Sequence, residues 1–304
     1  MIPILACSFL QKPTRLTKIG YNRGMQNAVA PHILRYYRRV HCSLESLNPA
    51  AKPWALVAPR SAPPRGNVIV FPGSFNPPTM AHLAMLKQAR KFAKHQGRSA
   101  HWQIYAALSK HTVDKETVAR MTLVDRVVLL ERVLKKQVKH AGILLLNRGL
   151  YVEQALGIRA AFPEVKQLYF LLGFDKIVQI LDPRYYTDRE AALHALLCQA
   201  HLLVAPRGTD GEAELRALLA QPENRPFAHA IHHLPLSTAY RDISSTQART
   251  KQTDLQGLPD EVADFLKYTQ PYLTPGQKRD KDENDLYTQR TEKLQQLLQV
   301  SALL

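Results

Sequence analysis

An alternation that begins near residue 67 restricts this chain most. Short runs of β-branched and aliphatic residues are separated by amphipathic stretches of helical period. The runs are Val68–Phe71, Gln103–Leu108, Ile143–Leu146, Leu168–Leu172, Leu202–Ala205 and Ala230–Leu234, and the amphipathic stretches include Leu83–Lys94, Ala119–Lys136 and Glu190–Cys198. Strands alternating with helices of this length predict an α/β fold built on a doubly wound parallel sheet. Ligands of such folds bind beyond the carboxyl ends of the strands, where the connections diverge. The residues directly after each strand are therefore where function is to be sought.

Composition removes several other classes. At 304 residues with 45% hydrophobic and 22% charged side chains, the chain is ordinary for a globular protein, not collagenous or wholly disordered. Its longest apolar runs, such as Ile143–Leu146, fall far short of the ~20 residues that cross a bilayer, so no membrane partner is expected. Three cysteines, Cys7, Cys42 and Cys198, form no C-x-x-C pair and no even set, which argues against a disulfide framework or a cysteine zinc site. They read as free thiols of a reducing cytoplasm.

The net charge of +16 is unevenly placed. Residues 1–70 hold ten Lys or Arg against one acid, Glu45, whereas residues 71–304 hold 31 against 24. A basic surface attracts anions of every kind, from nucleotides to membranes. No zinc-finger spacing or RNP-like string singles out nucleic acid. The first 44 residues lack Asp and Glu, as an organellar presequence does, but Pro3, Pro13 and Gly20 interrupt an amphipathic helix and Met25 offers a second start. A helical pattern follows at Ile33, Leu34, Tyr37 and Val40, and residues 49–66, with five prolines, read as a linker. The expected division is a basic extension with linker over 1–66, the α/β domain over 67–275 and a charged helical tail over 276–304. That tail reads as a surface helix, with partner binding as the alternative.

Two strings carry chemistry. The first strand runs into Gly73-Ser74-Phe75-Asn76-Pro77-Pro78-Thr79-Met80-Ala81-His82. Gly73 permits close backbone approach, the prolines stiffen the turn, and Thr79 can cap the helix that follows. Unpaired N–H groups at that helix start then favour an anion, and His82 in the first turn can donate to it. After the last strand stands Asp242-Ile243-Ser244-Ser245-Thr246-Gln247-Ala248-Arg249, whose hydroxyls are either helix caps or phosphate ligands, with Arg249 supplying a positive fork.

Together, about 160 residues apart and in this order, the strings resemble the nucleotidyltransferase superfamily marked by an (H/T)-x-G-H signature. The branch they are most similar to adenylylates nicotinamide or nicotinate mononucleotide. Gly73, Phe75, Asn76, Pro77 and His82 match its G-x-F-N-P…H segment, Thr79 takes the first His position, and Ala81 replaces the usual Gly. Residues 243–249 match its I-S-S-T-x-x-R motif. The resemblance, over about residues 67–272, implies a Rossmann-like nucleotidyltransferase fold and an enzyme of NAD biosynthesis that binds ATP and magnesium. His82, Thr79, Lys115 and Arg249 would act on the phosphates, with Lys110 as reserve for Lys115. Gly73, Ser74, Phe75, Asn76, Gly173, Asp175, Arg207, Ser244, Ser245 and Thr246 would line the nucleotide. Magnesium would ride on the ATP phosphates with mostly water ligands, and no protein metal site is expected.

Two further departures bear on the acceptor. Phe174 stands in Gly173-Phe174-Asp175 where the family has G-A-D, and Asp182-Pro183-Arg184-Tyr185-Tyr186 lacks the family's pyridine-stacking Trp, leaving a tyrosine to offer the aromatic face. They keep two alternatives open. One is an ATP-binding or ATP-hydrolysing relative without an acceptor site. The other is an adenylyltransferase for another phosphate acceptor such as phosphopantetheine. A homo-oligomer is compatible with the sequence.

Overall fold

The computed structural model describes residues 31–96, 101–110, 121–209, 211–250, 255–272 and 286–300. Its elements in chain order are α1 (Pro31–Glu45), β1 (Ala55–Val57), β2 (Gly66–Pro72), α2 (Met80–His95), β3 (Trp102–Ser109), α3 (Leu123–Gln137), β4 (Ala141–Leu146), α4 (Tyr151–Ala161) and β5 (Val165–Gly173). There follow α5 (Phe174–Leu181), α6 (Arg189–Leu197), β6 (His201–Ala205), α7 (Glu212–Ala220), β7 (Ile231–His233), α8 (Ser245–Thr250), α9 (Asp260–Thr269) and α10 (Leu286–Val300). The strands form one sheet in the order β1-β4-β3-β2-β5-β6-β7, parallel throughout except for β1, which runs antiparallel to β4. Each of the six strands read from the sequence is present.

Both faces of the sheet are covered, which is why its strands read as unbroken apolar runs. Ile69, Phe71, Ile104, Ala106 and Leu108 pack on one face with helices α1, α2, α3 and α9. Val68, Val70, Tyr105, Ala107, Phe170 and Leu172 pack on the other with α4, α5, α6 and α7. The path leaves β2 toward β3 on one side and leaves β5 toward β6 on the other. The crevice therefore opens between the carboxyl ends of β2 and β5, the neighbours at the reversal of strand order.

The stretch expected to link an extension to the domain is instead part of this framework. Residues 55–57 pair with Val57↔Leu144 and Ala55↔Leu146, and Ala55 and Ala58 are buried. Helix α1 buries Tyr36, Tyr37, Val40 and Leu44. Prolines are compatible with an edge strand because its outer N–H groups need no partner. The tail helix likewise does more than lie on the surface: Tyr287 is 4% exposed and Arg290 pairs with Asp125 of α3. Among the described residues no helix is long and apolar enough to cross a membrane. Cys42 and Cys198 are free and exposed.

Candidate active site

The first string leaves β2 as a turn whose side chains point mostly inward. Phe75 has a left-handed backbone (φ 42°) and a fully buried ring, edge-on to Phe71 at 5.5 Å and 5.0 Å from the imidazole of His82. A Cβ on residue 73 would stand 3.1 Å from that ring, so the turn is tight enough to favour Gly there. Asn76, 5% exposed and joined to Pro77 by a cis peptide, accepts from the Tyr272 hydroxyl at 2.6 Å through its Oδ1. The resemblance placed Phe75 and Asn76 against the nucleotide. Their side chains are buried in the turn, and the Gly73 N–H donates to the Ala107 carbonyl of β3 at 3.0 Å.

Thr79 is the N-cap of α2 and has no exposed surface. Its hydroxyl lies 3.5 Å from the His82 N–H and 2.9 Å from His82 Nδ1, and its own N–H donates to Nδ1 at 2.9 Å. A neutral imidazole that accepts at Nδ1 carries its proton at Nε2. The cap therefore holds His82 with Nδ1 as acceptor, which leaves the proton of a neutral ring at Nε2, and the Thr79 hydroxyl expected at the phosphates is engaged with this ring. The helix start is also a narrower anion site than expected. The Met80 N–H donates to the Gly257 carbonyl at 2.8 Å and that of His82 faces the Thr79 hydroxyl. Of the first-turn amides only that of Ala81 lacks a partner among the described residues.

The second string closes directly onto the first. Arg249 Nη1 donates to the Asn76 carbonyl at 2.8 Å, its Nη2 to Thr246 Oγ1 at 3.1 Å, and the Ser245 hydroxyl to the Pro77 carbonyl at 2.8 Å. Ser244 and Gln247 cap each other: the Gln247 N–H donates to Ser244 Oγ at 3.2 Å and the Ser244 N–H to Gln247 Oε1 at 3.0 Å. Ser244 is thus a cap, Ser245 and Arg249 stitch the strings together, and Thr246 is exposed. Ala248, buried, anchors α8.

Across the crevice, Asp175 in the first turn of α5 and Arg207 after β6 form a 3.0 Å ion pair, both largely exposed. Gly173 stands beside them at the end of β5, and a Cβ there would meet nothing within 4 Å. Phe174, 8% exposed, packs into the core beneath α5. Tyr185 is 58% exposed, while the Tyr186 hydroxyl donates to the Ile180 carbonyl at 2.7 Å, which leaves Tyr185 as the exposed aromatic of this stretch. Lys110 directly follows β3 and pairs with Glu45 at 3.6 Å. Lys115 lies outside the described residues. No group of three or more His, Cys, Asp or Glu able to hold a metal occurs among the described residues.

Two further residues hold the turn, Tyr272 from a segment that reads as packing and Arg126 from one that gives no sign of a role. Tyr272 holds Asn76, and burial pushes its phenol well above the ordinary range. Arg126 of α3 donates through Nη1 to the Ser74 carbonyl at 3.3 Å, and burial pulls its guanidinium below its ordinary value. An arginine in an amphipathic helix carries no periodicity that separates it from a solvated one.

A family model described as cytidylyltransferase-like matches residues 70–251, a span that contains both strings and the strands between them. The chain belongs to the cytidylyltransferase-like family. A protein of Schizosaccharomyces pombe named "Putative nicotinamide mononucleotide adenylyltransferase" is 26% identical over 226 residues, covering 67% of this chain and 86% of its own. The nicotinic acid mononucleotide adenylyltransferase of Plasmodium falciparum, solved in complex with APC, aligns at 16% identity and a TM-score of 0.47 over 68% of this chain and 98% of its own.

Proposed function

We propose that the chain transfers the adenylyl group of ATP to nicotinamide or nicotinate mononucleotide, giving a dinucleotide and pyrophosphate. One observation carries the reading. Arg249 and Ser245 are hydrogen-bonded to the turn that presents His82, at the carboxyl end of β2 beside the reversal of strand order. The fission-yeast relative's name supports the choice of acceptor.

An oxygen of the mononucleotide phosphate attacks the α-phosphorus. The new P–O bond joins the two nucleotides as the bond to the β-phosphate oxygen breaks. The attacking phosphate is already ionised, so a general base has little to add. The protein's task is to align groups that repel one another. Holding two reactants in line removes roughly 7–11 kcal/mol of barrier, and one donor aimed at developing charge adds about 3–4 kcal/mol. His82 is that donor, through the Nε2–H that Thr79 fixes. Arg249 and Lys115 neutralise the polyphosphate, the Ser244–Thr246 segment borders it, and Asp175, Arg207 and Gly173 face the nucleoside. Of the carboxylates at the crevice, Asp175 is already paired with Arg207, and no group of three or more His, Cys, Asp or Glu able to hold a metal occurs among the described residues. Such an arrangement fits magnesium carried on the phosphates with water ligands, and when bound the ion neutralises their charge.

His82→Ala is expected to lower turnover by about 10²-fold or more with the fold intact. The assay supplies ATP, magnesium and each mononucleotide in parallel and follows dinucleotide and pyrophosphate. Release of ADP and phosphate with no dinucleotide, or full activity of the variant, would refute the reading.

A further inference from the structure

Arg126 occupies the first turn of α3, and its guanidinium is largely buried behind the turn that leads to His82. Nη1 donates to the Ser74 carbonyl at 3.3 Å, and Nε is buried without any partner. No carboxylate pairs with it among the described residues. The neighbouring carboxylate is already committed, since Asp125 accepts from Arg290 Nη1 and Nη2 at 2.9 and 2.8 Å and from the Tyr287 hydroxyl at 2.7 Å. The phenols of Tyr272 and Tyr287 act on Arg126, and both are pushed upward by burial.

Its position adds to the mismatch. The start of a helix carries positive partial charge and disfavours a cation. Two residues further along the same turn, Arg249 grips the Asn76 carbonyl, also with no carboxylate partner among the described residues. Two guanidiniums thus hold carbonyls two residues apart in one turn, and no carboxylate among the described residues is recorded pairing with either. Burying a cation without its counter-charge destabilises a fold, and an anion bound between the two would remove that penalty.

We propose that Arg126 is a second guanidinium of the nucleotide site, forming with Arg249 a paired cationic wall that takes the polyphosphate of ATP. This rests on the crevice being the nucleotide site but not on which acceptor it uses or whether transfer occurs. The pair neutralises the polyphosphate from behind the turn, while His82 donates from the helix start.

The test uses the full chain with Arg126→Met and Arg126→Lys, melting curves without ligand, and titrations with inorganic tripolyphosphate, ATP and adenosine. Arg126→Met should melt at or above the wild-type temperature and bind tripolyphosphate and ATP about tenfold to a hundredfold more weakly, with adenosine unchanged. Arg126→Lys should recover part of the loss. Unchanged tripolyphosphate affinity in Arg126→Met, or weakening that extends equally to adenosine, would overturn the proposal. Should Arg126→Met fail to fold, Arg126→Lys decides: a folded protein within a few fold of wild-type affinity for tripolyphosphate supports it, and one that loses adenosine equally refutes it. Wild-type protein that binds tripolyphosphate but forms no dinucleotide would defeat the transferase reading alone.

Discussion

His82 works at the end of a short chain of constraints that starts with a threonine hidden from solvent. Thr79 closes the amino end of α2, and the reciprocal contacts between its N–H, its hydroxyl and Nδ1 select the imidazole tautomer. Removing such a cap hydroxyl costs about 0.5–2 kcal/mol. Thr79→Val should therefore lower the denaturant midpoint modestly and turnover more than that stability loss explains. Thr79→Ser should preserve both. Equal turnover of Thr79→Val and wild type would mean that the hydroxyl does not orient the ring. The strings themselves were legible because glycine, proline and a cluster of hydroxyls have few uses in a strand-to-helix turn. Their division of labour was not. Thr79, Phe75 and Asn76 match the family string by identity, yet whether a side chain faces ligand or core depends on φ at Phe75 and on Tyr272, nearly 200 positions away.

At the scale of elements, α1 and α10 close over α3 through a buried cluster that neither helix reveals alone. Asp125, 1% exposed, receives Arg290 through two nitrogens, the hydroxyls of Tyr287 and Thr122, and the Tyr37 hydroxyl at 3.2 Å. Arg290 also donates to Tyr37, so one carboxylate ties together three helices separated by some 250 residues. Breaking a buried pair from one side typically costs about 3–5 kcal/mol because the remaining charge is stranded. Arg290→Met should lower the unfolding free energy read from urea titration by an amount in that range, and Arg290→Met with Asp125→Asn should recover much of it. A single variant as stable as wild type would show that α10 docks by its apolar side chains alone. The heptad-like Leu294, Leu297 and Leu298 announced a helix, but one arginine on a charged face gave no sign of a buried partner. The prolines of residues 49–66 misled for a related reason: composition signals a linker, whereas pairing of β1 depends on an open edge of β4 that only the assembled sheet provides.

Seen as a whole, the sheet has two unlike ends. Near its carboxyl end the turn after β2 is held by Arg126 and Arg249, and Arg207 follows β6. Its amino end carries a row of rings: Trp102 lies 5.4 Å from Tyr169, Tyr169 stacks on His201 at 4.7 Å, and His201 lies 5.5 Å from His232. Burial lowers both imidazoles from 6.5, and the positive charge of His229, with that of His201 on His232, lowers them further. A histidine whose folded value lies below its unfolded one contributes stability above the unfolded value and loses it as pH falls, because the unfolded chain then binds the extra proton. The melting temperature should consequently hold near pH 7.5 and fall progressively below pH 6.5. In His201→Phe combined with His232→Phe that fall should be shallower, since rings of similar size keep the stack without a proton to gain. Turnover at pH 7.5 should be unaffected, because the replaced rings sit at the opposite end of the strands from His82. A double variant that melts with the same pH slope as wild type would place the acid-sensitive groups elsewhere, with His233, also lowered by burial, the next to replace.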